Sequence, residues 1–306
     1  MSTPRIVRLG PLLERHYERF DFKNHVPKDP VRFPHLYRKP RDIEVIGFVA
    51  AAMAFGRVSA FEPHLARICE HLGDNPADVL LAATQEVPDK DALDAVTQAT
   101  AWKYRWLTPE DLRAMLLGLG KALHRWGSLE ESFRAFVPVK PTKKQQEVGV
   151  WEPLGAWSLA LRELALSCHP TPSERHRAMA FLFPSTDGAA ACKRQHLFLR
   201  WMVRPATEGV DFGIWSVLRP AELVPPCDTH TARIGHALGL CSSADPSRTT
   251  ADELTRSLRL ADKDDPARFD FALAHLGISG GCRAAYMPTV CDTCGLREMC
   301  RWWGKI

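Results

Sequence analysis

The chain has 306 residues, 45% of them hydrophobic and 25% charged, with a formal net charge of +4. This is the composition of a globular protein in water, long enough for one large domain or two modest ones. No apolar run reaches the length a membrane-crossing helix needs, and the mild positive charge permits an anionic partner without arguing for one.

The first residues, MSTPRIVRLGPLLERHYERF, lack the continuous apolar stretch and small-residue cleavage site of a secretory signal. The expected location is therefore cytoplasmic, where clustered cysteines point to metal binding rather than to disulfides. Residues 22–40, FKNHVPKDPVRFPHLYRKP, carry four prolines and are expected to be extended or turn-like. DIEVIGFVAAAMAFG, residues 42–56, is apolar, alanine-rich and too long for a typical strand, so it predicts a buried helix ending near Gly56. Residues 109–126 predict another, with Pro109 suited to a first turn and Glu110 and Asp111 at its positive end. Inside it the string GLGK, 118–121, places glycines where helix packing is the expected reason. The polar stretch 137–153, VPVKPTKKQQEVGVWEP, is the candidate linker.

Helical patterns resume at 153–167 and 174–183, and KRQHLFLRWMVR, residues 193–204, is expected to be helical. At helical spacing Lys193, Arg200 and Arg204 fall within about 40° of one another, opposite Phe198, Leu199 and Met202. Such a stripe suits a phosphate backbone or an anionic ligand. The competing reading pairs its arginines with acids of neighbouring helices. In PPCDTHTARIGHALGL, residues 225–240, two prolines force an extended approach and Asp228 stands at a helix N-cap. His230 and Arg233, in the first turns of that helix, can join the basic surface. Thr250 and Glu253 predict a capping box before LTRSLRL, and Asp265–Pro266 a helix start running to Gly277. There is no convincing period-two strand and no internal repeat. The expected fold is all-α and two-lobed: residues 1–150, residues 151–280, and a cysteine loop at 281–306.

That loop contains CRAAYMPTVCDTCGLREMC, with four of the nine cysteines spaced C-x8-C-x2-C-x5-C. Cys282, Cys291, Cys294 and Cys300 can converge on one inorganic centre, either zinc or an iron–sulfur cluster. Zinc sites more often show two C-x2-C knuckles, so one knuckle with two single cysteines favours iron–sulfur. Either centre would chiefly fix a loop too small for its own core. Cys69, Cys168, Cys192, Cys227 and Cys241 are scattered and read as buried thiols.

The D-T-H-x-x-R string from Asp228 to Arg233, followed by the four-cysteine loop, resembles the helix-hairpin-helix DNA glycosylases of the endonuclease III and MutY type. In that superfamily a V-D-T-H-x-x-R segment carries the catalytic aspartate, and a C-terminal C-x6-C-x2-C-x5-C loop holds a 4Fe-4S cluster. The resemblance implies Asp228 as the catalytic carboxylate, a 4Fe-4S cluster (zinc being the alternative), and DNA as partner. It also implies a nucleotide flipped into a pocket between the lobes. Arg283, Arg297 and Arg301 would face DNA phosphates, with Trp302 and Trp303 packed on the loop.

The segment equivalent to the superfamily's phosphate-holding L-P-G-x-G hairpin is PATEGVDFGIW, 205–215, which keeps Gly209 and Gly213 but loses the G-x-G spacing. No lysine lies between 205 and 227, which implies a monofunctional glycosylase. Strings spread over most of the chain, among them FDFKNHVPKDPVRFPHLY and CKRQHLFLRWMVRP, are also similar to a family catalogued only as a domain of unknown function. Two other functions stay open: a non-catalytic nucleic-acid-binding protein on the same scaffold, or an enzyme acting on a nucleotide or RNA base. Neither a membrane nor a protein partner is indicated.

Overall fold

The computed structural model describes residues 3–138 and 150–303. Among them the regular structure is entirely helical, with no strand and only an isolated bridge between Tyr104 and Leu107. The all-α expectation therefore holds. The chain forms two compact units: unit I comprises Met1–Asn24, Lys140–Trp151 and Thr186–Ile306, and unit II comprises His25–Val139 and Glu152–Ser185. They interleave along the sequence, which differs from the expected consecutive stretches with boundaries at 150 and 280. Helix α1 (Thr3–Glu18) explains part of this, because its Leu9, Leu12, Leu13 and Tyr17 enter the same core as C-terminal residues such as Leu254 and Phe269. Of the candidate linker 137–153, residues 139–149 lie outside the described residues.

After the short helix α2 (Phe22–His25), the proline-rich segment makes three 3-10 turns at Val26–Lys28, Pro30–Arg32 and Pro34–Leu36. Each has a proline in its first two positions, where the missing N–H costs nothing. In α3 (Pro40–Met53) every residue from Asp42 to Met53 is buried. Its two acids are satisfied by backbone: Asp42 accepts from Ala77 N–H at 2.9 Å, and Glu44 from Leu129 and Glu130 N–H at 3.0 Å each. Both sets of donors lie at helix N-termini, where carboxylates are favoured.

The rest of unit II contains α4 (Val58–Leu72), α5 (Pro76–Ala83), α6 (Lys90–Ala99), α7 (Pro109–Trp126), α8 (Leu129–Arg134), α9 (Trp151–Leu166, from its second residue on) and α10 (Pro172–Leu182). Thr108 and Asp111 close a reciprocal capping box on α7. A Cβ on Gly118 would lie 2.7 Å from Ala165 Cα, and one on Gly120 2.5 Å from the Leu80 carbonyl oxygen. These glycines let α7 approach α9 and α5, the packing role expected of them.

The C-terminal part of unit I contains α11 (Lys193–Val203), α12 (Thr229–Leu238), α13 (Arg248–Arg259), α14 (Asp270–Ile278) and α15 (Pro288–Cys291). Two boundaries differ from expectation. Ser247, not Thr250, caps α13, accepting from Thr250 N–H at 3.1 Å, while Glu253 instead binds the Ser242 N–H and hydroxyl. Helix α14 starts at Asp270, because residues 266–269 form turns first. Between α11 and α12 lie only two 3-10 turns, Ala206–Glu208 and Pro220–Glu222. The segment folds back on α11 through Phe212 N–H to Trp201 O (2.8 Å) and Trp215 N–H to Met202 O (2.9 Å). A hairpin followed directly by a second α-helix is therefore not formed here.

Candidate functional site

Asp228 occupies the N-cap of α12, behind the buried Pro225, Pro226 and Cys227. Its Oδ1 accepts from the His230 and Thr231 N–H groups, both at 2.9 Å. Its Oδ2 lies 3.7 Å from Nζ of Lys193, the first residue of α11, with the two side chains 23% and 31% exposed. One oxygen thus anchors the carboxylate to the helix while the other stays beside an ammonium group and within reach of solvent. His230 is half-buried against α14: a Cβ on Gly277 would lie 2.6 Å from its Nδ1. Arg233, one turn further along, is exposed.

The other two members of the basic stripe require a correction. Arg200, 1% exposed, places Nη1 3.0 Å from Asp270 Oδ2 and Nη2 3.2 Å from Asp211. Arg204 is also buried; its Nε lies 2.8 Å from Asp265, Nη1 2.5 Å from Asp211 and Nη2 3.7 Å from Glu208. Neither guanidinium presents itself to an external phosphate. The cause is that α11 is buried on all sides from Phe198 to Val203, so both arginines find their anions inside the unit.

Asp270 was not singled out by sequence, although an acid between Phe269 and Phe271 in an apolar helix is an unusual choice. Burial pushes its carboxyl up to about 7; Arg200 opposes this, and the charge of Asp228 adds to the upward push. Its Oδ1 is buried and finds no hydrogen-bond partner among the described residues. Lys193, Asp228, Asp270 and Arg200 thus form one electrostatic group running from solvent to core.

The four C-terminal cysteines line a single cavity of about 350 Å³, together with His16, Leu276 and Trp303. Backbone N–H groups meet three of the sulfurs: Ala284 at Cys282, Met287 at Cys291 (3.3 Å) and Leu296 at Cys294. Burial holds the thiols of Cys282 and Cys294 above their ordinary range. Among the described residues no three His, Cys, Asp or Glu side chains converge on one metal position. The loop is fastened to the unit by Arg301 N–H to Ala237 O (2.8 Å), Cys282 N–H to Leu276 O (2.9 Å) and the buried Leu296 and Met299. Arg283 and Arg297 remain exposed, whereas Arg301 turns inward to His236 at 2.8 Å. Of the other cysteines, Cys192, Cys227 and Cys241 are buried, while Cys69 and Cys168 are half-buried.

A family described as "Protein of unknown function (DUF2400)" matches residues 29–279. The matched span contains Lys193, Asp228 and Asp270 and stops short of Cys282. No curated protein and no solved structure matches the chain. No helix among the described residues is long and apolar enough to cross a membrane.

Proposed function

The chain belongs to the DUF2400 family, and from that premise we propose that it is a monofunctional DNA glycosylase-like enzyme with Asp228 as its catalytic carboxylate. The observation that carries this reading is the divided duty of Asp228. Oδ1 is fixed by two helix N–H groups, and Oδ2 faces Lys193 on a side chain that is 23% exposed. A carboxylate so held keeps its position while facing a substrate.

The target nucleotide leaves the base stack to reach it. The N-glycosidic bond breaks with its electron pair going to the base, which takes up a proton from solvent. Asp228 faces the positive charge that develops on the sugar. Water then adds to the anomeric carbon and gives its proton to the carboxylate.

The four-cysteine cavity fits a 4Fe-4S cluster. It supplies four thiol donors, N–H groups directed at sulfur that favour the thiolate, and room for several atoms rather than a single ion. Zinc, which would need all four thiolates drawn to one position, is the alternative. Bound there, the group would have a structural part, fixing the loop that carries Arg283 and Arg297 towards DNA phosphates. Lys193, His230 and Arg233 complete the proposed nucleic-acid contacts; Arg200 and Arg204 take no direct part.

Asp228→Asn tests the reading, since asparagine caps a helix as well as aspartate does. The variant is expected to keep its fold and DNA affinity and lose base release from damaged or modified DNA. Undiminished release would remove Asp228 from the reaction. DNA binding by the wild type with no release from any such substrate would leave the non-catalytic reading in its place. For the cluster, purified protein should be brown with broad visible absorption; a colourless zinc protein would replace the iron–sulfur assignment.

One observation favours a second reading. Lys193, outside the stretch where the sequence sought a lysine, stands 3.7 Å from Asp228. Its amine could attack the anomeric carbon, expel the base and form an imine after loss of a proton and opening of the sugar ring. Borohydride, which reduces such an imine to a stable adduct, separates the two. A trapped adduct that disappears in Lys193→Gln would make the enzyme bifunctional.

A further inference from the structure

Unit II carries a second feature, independent of Asp228. Residues 102–106 read WKYRW, alternating aromatic and basic side chains. Tyr104 and Leu107 exchange backbone hydrogen bonds of 3.1 and 2.9 Å, which leaves Arg105 and Trp106 as the two-residue tip of a tight hairpin turn. Arg105 has φ 54°, in the left-handed region. Glycine is the residue such positions favour, and an arginine held there carries backbone strain of the kind concentrated at binding sites.

Trp106 is 47% exposed despite its size. It stands edge-on to Phe181 at 4.9 Å and 5.5 Å from Phe55. The rings continue from Phe55 to Tyr104 (4.8 Å), to His64 (5.4 Å), and to Trp102, stacked on His64 at 4.0 Å. Beside Trp106 opens a cleft of about 770 Å³ lined also by Glu174, Arg175, Arg177 and Phe181. Arg175 buttresses the tip, bonding Asp111 through Nε at 2.9 Å and the Trp106 carbonyl through Nη2 at 3.2 Å. Arg57, Lys103, Arg105 and Arg177 are exposed, and none is ion-paired among the described residues.

We propose that this turn and its row of rings bind a single-stranded nucleic-acid segment. Bases stack on the exposed Trp106, which the rings behind it hold in place, and phosphates lie among Arg57, Lys103, Arg105 and Arg177. Aromatic faces interleaved with unpaired cations match a ligand that repeats flat bases and anionic links. An acidic peptide would use the cations and leave the rings idle. The proposal shares its class of partner with the function proposed above but needs neither Asp228 nor catalysis.

Fluorescence anisotropy with labelled oligothymidylate, and with an abasic strand of equal length, tests it on the full chain. The wild type is expected to bind the thymidylate more tightly than the abasic strand. Trp106→Ala should weaken thymidylate binding about tenfold or more, the scale of one lost base stack, while Trp106→Phe retains most of it. Removing Arg57 and Arg177 together should lower the salt dependence by about 1.4 logarithmic units per decade. Arg105→Gly should weaken binding with no loss of thermal stability, since glycine relieves the left-handed backbone. Equal affinity for the abasic strand, an unaffected Trp106→Ala variant, tighter binding of polyglutamate, or no strand binding by the wild type would each overturn the proposal. The assay reads strand binding without base release, so a failure of catalysis leaves this result standing and a failure here leaves base release to its own test.

Discussion

Helix α11 carries cations into two opposite surroundings. At its first residue, Lys193 lies near the surface with one half-exposed carboxylate, Asp228, at 3.7 Å. In its last turn Arg200, and at its C-cap Arg204, are enclosed with Asp211, Asp265, Asp270 and Glu208. The three align on a helical wheel, but alignment says only that they share a face. Whether that face meets solvent is decided by acids outside α11, two just past its end (Glu208, Asp211) and two on distant segments (Asp265, Asp270). The buried half is structural, and the surface half is where an incoming phosphate or sugar can be met.

The largest expected effect comes from cutting the buried half. Arg200→Leu would leave Asp211 and Asp270 with one fewer counter-charge in a dry interior. Removing one partner from a buried pair costs about 3–5 kcal/mol, and urea unfolding should show a loss of that size. A change near zero would mean that water reaches these carboxylates, and the contrast along α11 would collapse.

Next in size is a pH effect. Burial pushes Asp270 from 3.8 up to about 7, and Asp211 and Asp265 move in the same direction. Between its unfolded and folded values, Asp270 holds a proton in the native state that the unfolded chain has released. Its contribution to stability is complete below about pH 4 and is lost as pH rises through about 7. Burial lowers His16 and His196, which act in the opposite sense at acid pH, so the informative quantity is a difference between proteins. Relative to Asp270→Asn, the wild type should lose stability on going from about pH 5 to pH 8, at up to about 1.4 kcal/mol per pH unit. Parallel pH profiles would show that Asp270 titrates as an ordinary carboxyl.

Smaller still is the cap. Asp228→Ala removes both acceptor contacts at the start of α12 and should cost about 1 kcal/mol, while Asp228→Asn should cost almost nothing. If both variants lose the same stability, the negative charge rather than the cap geometry holds the helix, and Asp228 would belong with the buried network.

Much of this was legible where signals were local. The long apolar run at 42–56 and the Pro109 start with its acids gave their helices because first turn and core face lie within one stretch of chain. Asp228 as a cap follows from two prolines and an apolar-faced helix. The close spacing of Cys282, Cys291, Cys294 and Cys300 leads to the expectation of one inorganic centre; the four line one cavity, and among the described residues no three of them converge on one position. What stayed hidden depends on distant partners. Asp270 stands out by its apolar neighbours, but its role appears only when Arg200 is placed beside it, and α1 gives no sign that its core lies in the C-terminal part of the chain. The Arg105–Trp106 turn escaped for a different reason. Tight hairpin turns announce themselves through glycine or asparagine, and this one puts an arginine in the strained position.

A change in stability smaller than that of Asp228→Ala, and the one that sharpens the contrast most, is expected at Lys193. A half-exposed pair at 3.7 Å gains little, because water screens it and two flexible side chains must be held. Lys193→Ala should therefore shift stability by under about 1 kcal/mol. The same lysine should matter for binding: if it takes a phosphate, its loss lowers the salt slope of duplex binding by about 0.9. Lys193 also draws the Asp270 value down, so the variant should move the Asp270-dependent pH effect to higher pH. A small stability change with a reduced salt slope places Lys193 at the working edge of α11. A loss of several kcal/mol with an unchanged slope would make it the outermost member of the buried network, and the helix would then have one environment instead of two.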